Sequence, residues 1–480
     1  MLGRGTGYLA QILLARILAP EYYGLYAIGW TILRLFSIAG HLGLDIGVIH
    51  FGSSYWPKDK SRFKSIVLIS LGGALLSGMI AGVALYFAAP WLAVTFFKKP
   101  ELEFILQGFA FAFPLAAVLR ILAATSSISG KMLCGGAAED FAQPFFQITL
   151  LIIFVNHGTE TIWAAIVSTL FSYLVAVAGG LICVRCLTPE VFLREKISLQ
   201  DARKLFYYSA PTILAITLAS FNLWGDRLIV GYFGTEKDAG IYQSISILTM
   251  LTATILSGIK LTIAPIISKL YHNQQHNELK TVAQNSTRWL LYLSIPILLL
   301  TILVPGEILN FLFGIEYAQG TLPLVYLSIG QFFYIAFGIS DILFLMTGNN
   351  KDWLIIAIAI FIGTVTLNVI AIPRVGLLGA SGVSCIMMLL SGIFSLWRLK
   401  QKLKFWLIDK THARVGISGV ITYILTSVLI NKIQVESITY IVITGIITIL
   451  IFFTLLTLIG FEPDDKRFLV NIFEKIRKKV

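Results

Sequence analysis

The sequence predicts an all-helical membrane protein of about fourteen transmembrane helices, arranged as two six-helix lobes related by an axis along the membrane normal plus two C-terminal helices. Three observations predict it. Only 13% of the 480 residues are charged, against 57% hydrophobic, with a mean hydropathy of +0.84. A water-facing surface carries roughly 25% charged residues, so lipid must be the solvent over most of this chain. Apolar runs of about 20 residues, the length that crosses a bilayer as a helix, recur from end to end. The links between these runs alternate between basic and nearly uncharged.

The runs centre near Leu13, Leu35, Leu76, Phe113, Leu151, Val175, Leu218, Leu251, Leu298, Phe333, Phe361, Met388, Leu425 and Ile449. They are long and continuously apolar, unlike the alternating segments of about ten residues in a membrane barrel. Backbone groups in lipid must be satisfied within their own segment, which makes each run a helix. The first run is short on its N-terminal side. No small-residue cleavage pattern precedes Pro20, so it reads as a retained helix and not a signal peptide.

The basic links run from Lys58 to Lys64, Arg194 to Lys204, Lys269 to Arg288 and Arg398 to Arg414, followed by the tail from Lys466 to Lys479. Fourteen spans put all of them on one side, roughly 27 basic residues against about 7 on the other. Positive loops stay inside, which places both termini in the cytoplasm of a bacterial plasma (inner) membrane. The formal charge of +12 is thus spent on topology signals and not on a nucleic-acid face. Cys183 and Cys186 form a CxxC with no second Cys or His pair nearby, and read as small apolar residues of a helix. No metal or cofactor is expected.

An internal repeat appears at an offset near 216. Gly24-Leu25-Tyr26 recurs as Gly240-Ile241-Tyr242, and Ala164 to Ser168 recurs as Ala380 to Ser384. Gly130-Lys131 and Gly348-Asn349 match at nearly the same spacing. The offset spans six helices, an even number, so the halves share an orientation. The expected division is residues 1–187 for the first lobe, 188–203 for a cytoplasmic linker, 204–400 for the second lobe, and 401–480 for helices thirteen and fourteen with a basic tail. Two similar lobes create a cleft that can open to one side at a time, the architecture of alternating access.

Leu14-Ala15-Arg16-Ile17-Leu18-Ala19-Pro20-Glu21-Tyr22-Tyr23-Gly24-Leu25-Tyr26 resembles the first-helix signature of polysaccharide and O-antigen flippases of the multidrug/oligosaccharidyl-lipid/polysaccharide exporter superfamily. Asp226 to Phe233 leading to Gly240-Ile241-Tyr242, and Asn368 to Ala380, are similar to the same family, so the resemblance reaches both lobes. It implies a flippase that moves an undecaprenyl-pyrophosphate-linked oligosaccharide from the inner to the outer leaflet for surface polysaccharide synthesis. The implied partners are that lipid-linked substrate, membrane lipid, a proton or sodium ion as coupling ion, and polysaccharide polymerase machinery. A drug or cation antiporter of the same superfamily is the alternative. Antiporters typically have twelve helices, and the extra C-terminal pair favours the flippase. An enzyme is not expected, because the outer links are too short to hold a catalytic domain.

Ionisable residues within spans cost at least about 2.5–3.5 kcal/mol to insert, which makes them functional candidates. Arg34 lies about 15 Å into its helix, near the midplane. A guanidinium offers a planar fork to phosphate oxygens, so Arg34, helped by Arg16 and Arg227, is expected to hold the pyrophosphate headgroup. The other reading is a salt bridge that only positions helices. Asp45, Arg120, Asp226, Lys260 and Asp341 are candidates for a gate or a coupling-ion site. The repeat offset sets Asp45 beside the position matching Lys260, and Arg120 within about a turn of that matching Asp341. Inter-lobe pairs between them are expected, with pairing inside each lobe as the alternative. His41 and His50 lie on the second span and lack a third metal ligand.

Overall fold

The computed structural model describes residues 2–129, 136–192, 200–430 and 437–459. The Gly130-Lys131 member of the repeat, Arg194 and the tail from Lys466 to Lys479 lie outside the described residues. Among those described there is no strand. The helices are α1 (Leu2–Gly40), α2 (Leu44–Tyr55), α3 (Lys60–Pro90), α4 (Leu102–Ala110), α5 (Ala112–Ile128), α6 (Gln143–Asn156), α7 (Thr161–Leu187) and α8 (Gln200–Phe233). Then follow α9 (Glu236–His272), α10 (His276–Leu303), α11 (Pro305–Leu312), α12 (Thr321–Phe337), α13 (Ile339–Met346), α14 (Asn350–Val375), α15 (Leu377–Leu403), α16 (Lys410–Ile430) and α17 (Ser437–Ile459).

Every expected apolar centre falls inside a helix. Among the described residues, ten helical stretches are long and apolar enough to cross a bilayer, and α4 with α5, bent by 44°, make an eleventh. The other expected centres lie in α8 and on either side of a break in α1. That break is at Ala19, with φ 59° and ψ 165°, directly before Pro20. Proline has no N–H to donate and crowds the preceding residue out of the helical region, so the chain turns there. A second break separates α1 from α2, where Leu42 and Gly43 take φ values of 53° and 63°. Asp59 then opens α3 by accepting a hydrogen bond from the Arg62 N–H at 3.1 Å.

The chain packs into two compact units. One comprises Met1–Ile247 and Phe361–Ala380, and the other Leu248–Ile360 and Ser381–Val480. In the first, Leu44 and Val48 of α2 meet Phe63 and Ile66 of α3 and Ile121 and Leu122 of α5. In the second, Leu256 and Ile263 of α9 pack with Leu290 of α10 and Leu343 and Phe344 of α13. Val415 of α16 and Phe452 and Leu456 of α17 cover Leu291, Ile295 and Leu299 of α10. Helix α14 is the least covered of the spans, with 11% of its most apolar window buried. Such a helix needs a solvent as apolar as itself. The protein is therefore a multi-pass membrane protein.

Candidate functional site

Arg34 lies on α1, one turn after Trp30, and Arg227 lies on α8, one turn after Trp224. Side chains three and four apart share a helix face, so each arginine can lie over its own tryptophan. The structure joins the two pairs within the first unit. Trp30 and Trp224 meet edge to face at 5.2 Å. The Arg34 guanidinium lies 4.6 Å from the Trp30 ring centre and 5.5 Å from that of Trp224. The Arg227 guanidinium lies 4.4 Å from Trp224. Cation–π contacts hold both groups without neutralising them.

The two arginines differ in access and in charge balance. Arg227 is only 4% exposed; its Nη1 donates to the Leu223 carbonyl at 2.9 Å and lies 3.7 Å from Asp226 Oδ1. Asp226 in turn accepts from the Tyr242 hydroxyl at 2.6 Å. Arg227 is thus an internal, charge-balanced group that backs Trp224. Arg34 is exposed, and among the described residues it has no carboxylate partner. Arg16 is exposed on the other side of the Ala19 break, and no described contact joins it to the cluster. The tryptophans were not singled out in the sequence; their i,i+4 and i,i+3 spacing to the two arginines is the signal that could have found them.

Among the described residues Asp45, Arg120, Lys260 and Asp341 pair inside their own units, the second of the two expected arrangements. Arg120 Nε of α5 donates to Asp45 Oδ2 of α2 at 3.1 Å, and Arg120 Nη1 reaches Glu139 at 3.1 Å. His41 Nδ1 lies 3.4 Å from the other Asp45 oxygen. In the second unit, Lys260 Nζ of α9 donates to Asp341 Oδ2 of α13 at 2.9 Å. Each candidate is therefore paired inside its own unit. The physical reason is that each charge has an opposite charge on a helix packed beside it in the same unit. The polarity is reversed between the two. The acid is on α2 in the first and on α13 in the second.

The glycines of the repeated Gly-aliphatic-Tyr motif also meet. A Cβ on Gly24 would lie 1.8 Å from the Glu236 carbonyl oxygen, and one on Gly240 would lie 2.0 Å from that of Pro20. Only glycine permits this backbone-to-backbone approach. Lys99, 6% exposed, closes the same seam by donating to the Gly234 carbonyl at 2.9 Å. The two tyrosines anchor each motif. Tyr26 lies 2.9 Å from Thr169 and accepts from Gln147 Nε2 at 2.8 Å, whereas Tyr242 holds Asp226. One anchor is neutral and the other carries a carboxylate.

The chain is 24% identical over 385 residues to a probable low-salt glycan biosynthesis flippase of Haloferax volcanii, covering 79% of this chain and 76% of that one. It is 22% identical over 396 residues to the lipid II flippase of Bacillus subtilis, covering 75% and 72%. Among solved structures, an inward closed lipid II flippase superposes with a TM-score of 0.78 at 12% identity, over 95% of this chain and 96% of that one. An inward-facing multidrug resistance transporter superposes at 0.68 with 16% identity, over 83% and 94%. A family model described as polysaccharide biosynthesis protein matches residues 13–321. The chain belongs to the polysaccharide biosynthesis protein family, and its fold is that of the multidrug/oligosaccharidyl-lipid/polysaccharide exporter superfamily.

Proposed function

We propose that this protein is a flippase which turns an undecaprenyl-pyrophosphate-linked oligosaccharide from the inner to the outer leaflet of the plasma membrane, with the headgroup held at Arg34. One observation carries the reading. Arg34 presents an exposed guanidinium, held over Trp30 and Trp224, with no carboxylate partner among the described residues. A cation already neutralised by a carboxylate would have to give up that partner to take a phosphate; Arg34 has none to give up. Its planar fork suits two phosphate oxygens, and the rings limit how much rotamer freedom binding removes. Arg227 acts through Trp224, as a positioning group.

The antiporter reading fits less well. A cationic drug would meet an uncompensated cation, and the superposition on the multidrug transporter leaves more of this chain unmatched than that on the lipid II flippase. In our reading the protein transports and does not catalyse, and both termini are cytoplasmic. Asp45, Asp226 and Asp341 are the candidates for a proton- or sodium-coupled step.

The test is a deletion strain analysed for lipid-linked intermediates. Accumulation on the cytoplasmic leaflet, relieved by wild type and not by Arg34→Ala, is the expected result. Normal surface glycan with altered drug sensitivity would instead favour the antiporter.

A further inference from the structure

Inside the second unit, α9, α10 and α12 border a small, partly open cavity lined by both apolar and hydroxyl or amide side chains. Ser294 of α10 and Ser328 and Gln331 of α12 line it, at 3%, 6% and 6% exposure. Ser294 Oγ, Ser328 Oγ and Gln331 Nε2 are all buried without a hydrogen-bond partner. Thr252 and Thr301 also line the cavity, but their hydroxyls donate to carbonyls of their own helices, at 2.6 Å and 2.8 Å. Three orphaned polar groups therefore converge on one space in the middle of a bilayer-spanning bundle. A buried polar group left without a partner loses the hydrogen bonds it made in water and gains none in exchange. Convergence of three on a cavity is the arrangement that an occupant with several hydrogen-bonding directions would satisfy.

The size and charge of the space define the occupant. The centre of a water molecule can move over about 20 Å³ of it. A water needs roughly 10–15 Å³ by that measure and two to four polar partners, so the cavity holds one water, at most two. A sugar ring is too large. A monovalent cation fits by size, but no carboxylate lines the space to balance its charge. A neutral water both donates and accepts, as two hydroxyls and an amide require.

The repeat supplies an internal comparison. At the offset near 216, α3 carries Gly78 and Gly82 where α10 carries Ser294 and Leu298. A Cβ on Gly78 would lie 2.7 Å from Pro114 Cα, and one on Gly82 would lie 2.4 Å from the Ala110 carbonyl oxygen. The first repeat is closed backbone to backbone at this place, with no room for solvent. The second has side-chain hydroxyls and a gap.

We propose that the second unit contains a structural water site, formed by Ser294, Ser328 and Gln331, which joins α10 and α12 through a hydrogen-bonded solvent molecule where the first repeat is joined by direct contact. A water bridge can exchange partners as the helices slide, which close-packed glycine contacts cannot do. The second unit is thus the one built to shear internally.

The proposal is tested by radiolytic hydroxyl-radical labelling of the full-length protein in lipid nanodiscs, read by mass spectrometry. Ile335 lines the cavity and is 1% exposed, whereas Leu343, in the same apolar cluster, is 0% exposed and does not line it. A bound water generates radicals in place, so Ile335 is expected to be oxidised about tenfold faster than Leu343. Gln331→Met and, separately, Ser294→Val should each abolish the excess while leaving Leu343 unchanged. Equal labelling of Ile335 and Leu343 in the wild type overturns the proposal. So does an excess that survives in both variants, since the radicals would then reach Ile335 by another route.

Discussion

Removing the Lys260–Asp341 pair one partner at a time is the most direct test of how the buried charges are organised. At 2.9 Å and an effective dielectric constant of about 20, the gross attraction is about 6 kcal/mol. Desolvation offsets much of it, and the two side chains remain 20% and 29% exposed. Lys260→Met or Asp341→Asn alone leaves a lone charge in a low-dielectric site, for which about 3 kcal/mol of destabilisation is expected. The double variant removes both desolvation penalties, so it should recover about 2 kcal/mol of the summed loss. The assay is unfolding in mixed micelles by titration with dodecyl sulfate, followed by tryptophan fluorescence. The control is the cross pair: Asp45→Asn with Lys260→Met should be additive within about 0.5 kcal/mol, because each residue's partner is elsewhere. Coupling in the cross pair as strong as in the Lys260–Asp341 cycle would refute the within-unit assignment.

Other consequences are as specific. Gly24→Ala places a methyl group 1.8 Å from the Glu236 oxygen where ordinary contact begins near 3.4 Å, so the seam must part and about 3 kcal/mol of stability is lost; an unchanged unfolding midpoint would contradict the close approach. Arg34→Lys keeps the charge but loses the fork and most of the ring stacking, and should weaken headgroup binding about tenfold while Arg34→Ala weakens it further; equal binding by Arg34→Lys and wild type would remove the fork from the argument. Burial pushes the Asp409 carboxyl up, but hydrogen bonds from Thr411 and His412 outweigh it and hold the group at about 2. The folded value lies below the unfolded one, so this stabilisation is fully present above about pH 4 and fades as pH falls toward 2. The melting difference between wild type and Asp409→Asn should shrink over that window, and a constant difference would show that the carboxylate charge is not what matters.

Much of the architecture was legible because lipid imposes it. Apolar length marks every helix centre, and the Ala19-Pro20 break follows from proline geometry. The motif around Gly24 and Gly240 was legible as a repeat, but its meaning was not: sequence cannot show that the two glycines touch each other. The same limit explains the ion pairs. The repeat offset groups Asp45, Arg120, Lys260 and Asp341 as a related set, yet each has two opposite charges within that set, and only packing decides between them. Glu139 escaped notice because it lies in a polar stretch just before α6, where an acid carries no cost visible in the sequence. Trp30 and Trp224 were hidden among the aromatic residues that any membrane protein carries.

That Arg34 has no carboxylate partner among the described residues has an electrical consequence. Asp226 with Arg227 and Lys260 with Asp341 are neutral as pairs, whereas Arg120 with Asp45 and Glu139 carries one net negative charge, so the field acts on Arg34 alone only where that cluster stays fixed. In the proposed cycle, reorientation of the empty carrier would move the one positive charge of Arg34, and a full crossing is worth about 2.3 kcal/mol per 100 mV. A potential negative inside draws that charge toward the cytoplasm, the side from which the proposed substrate would be taken. On this reasoning the resting potential helps to reset the carrier for its next load, and collapsing it should slow repeated turnover more than the first.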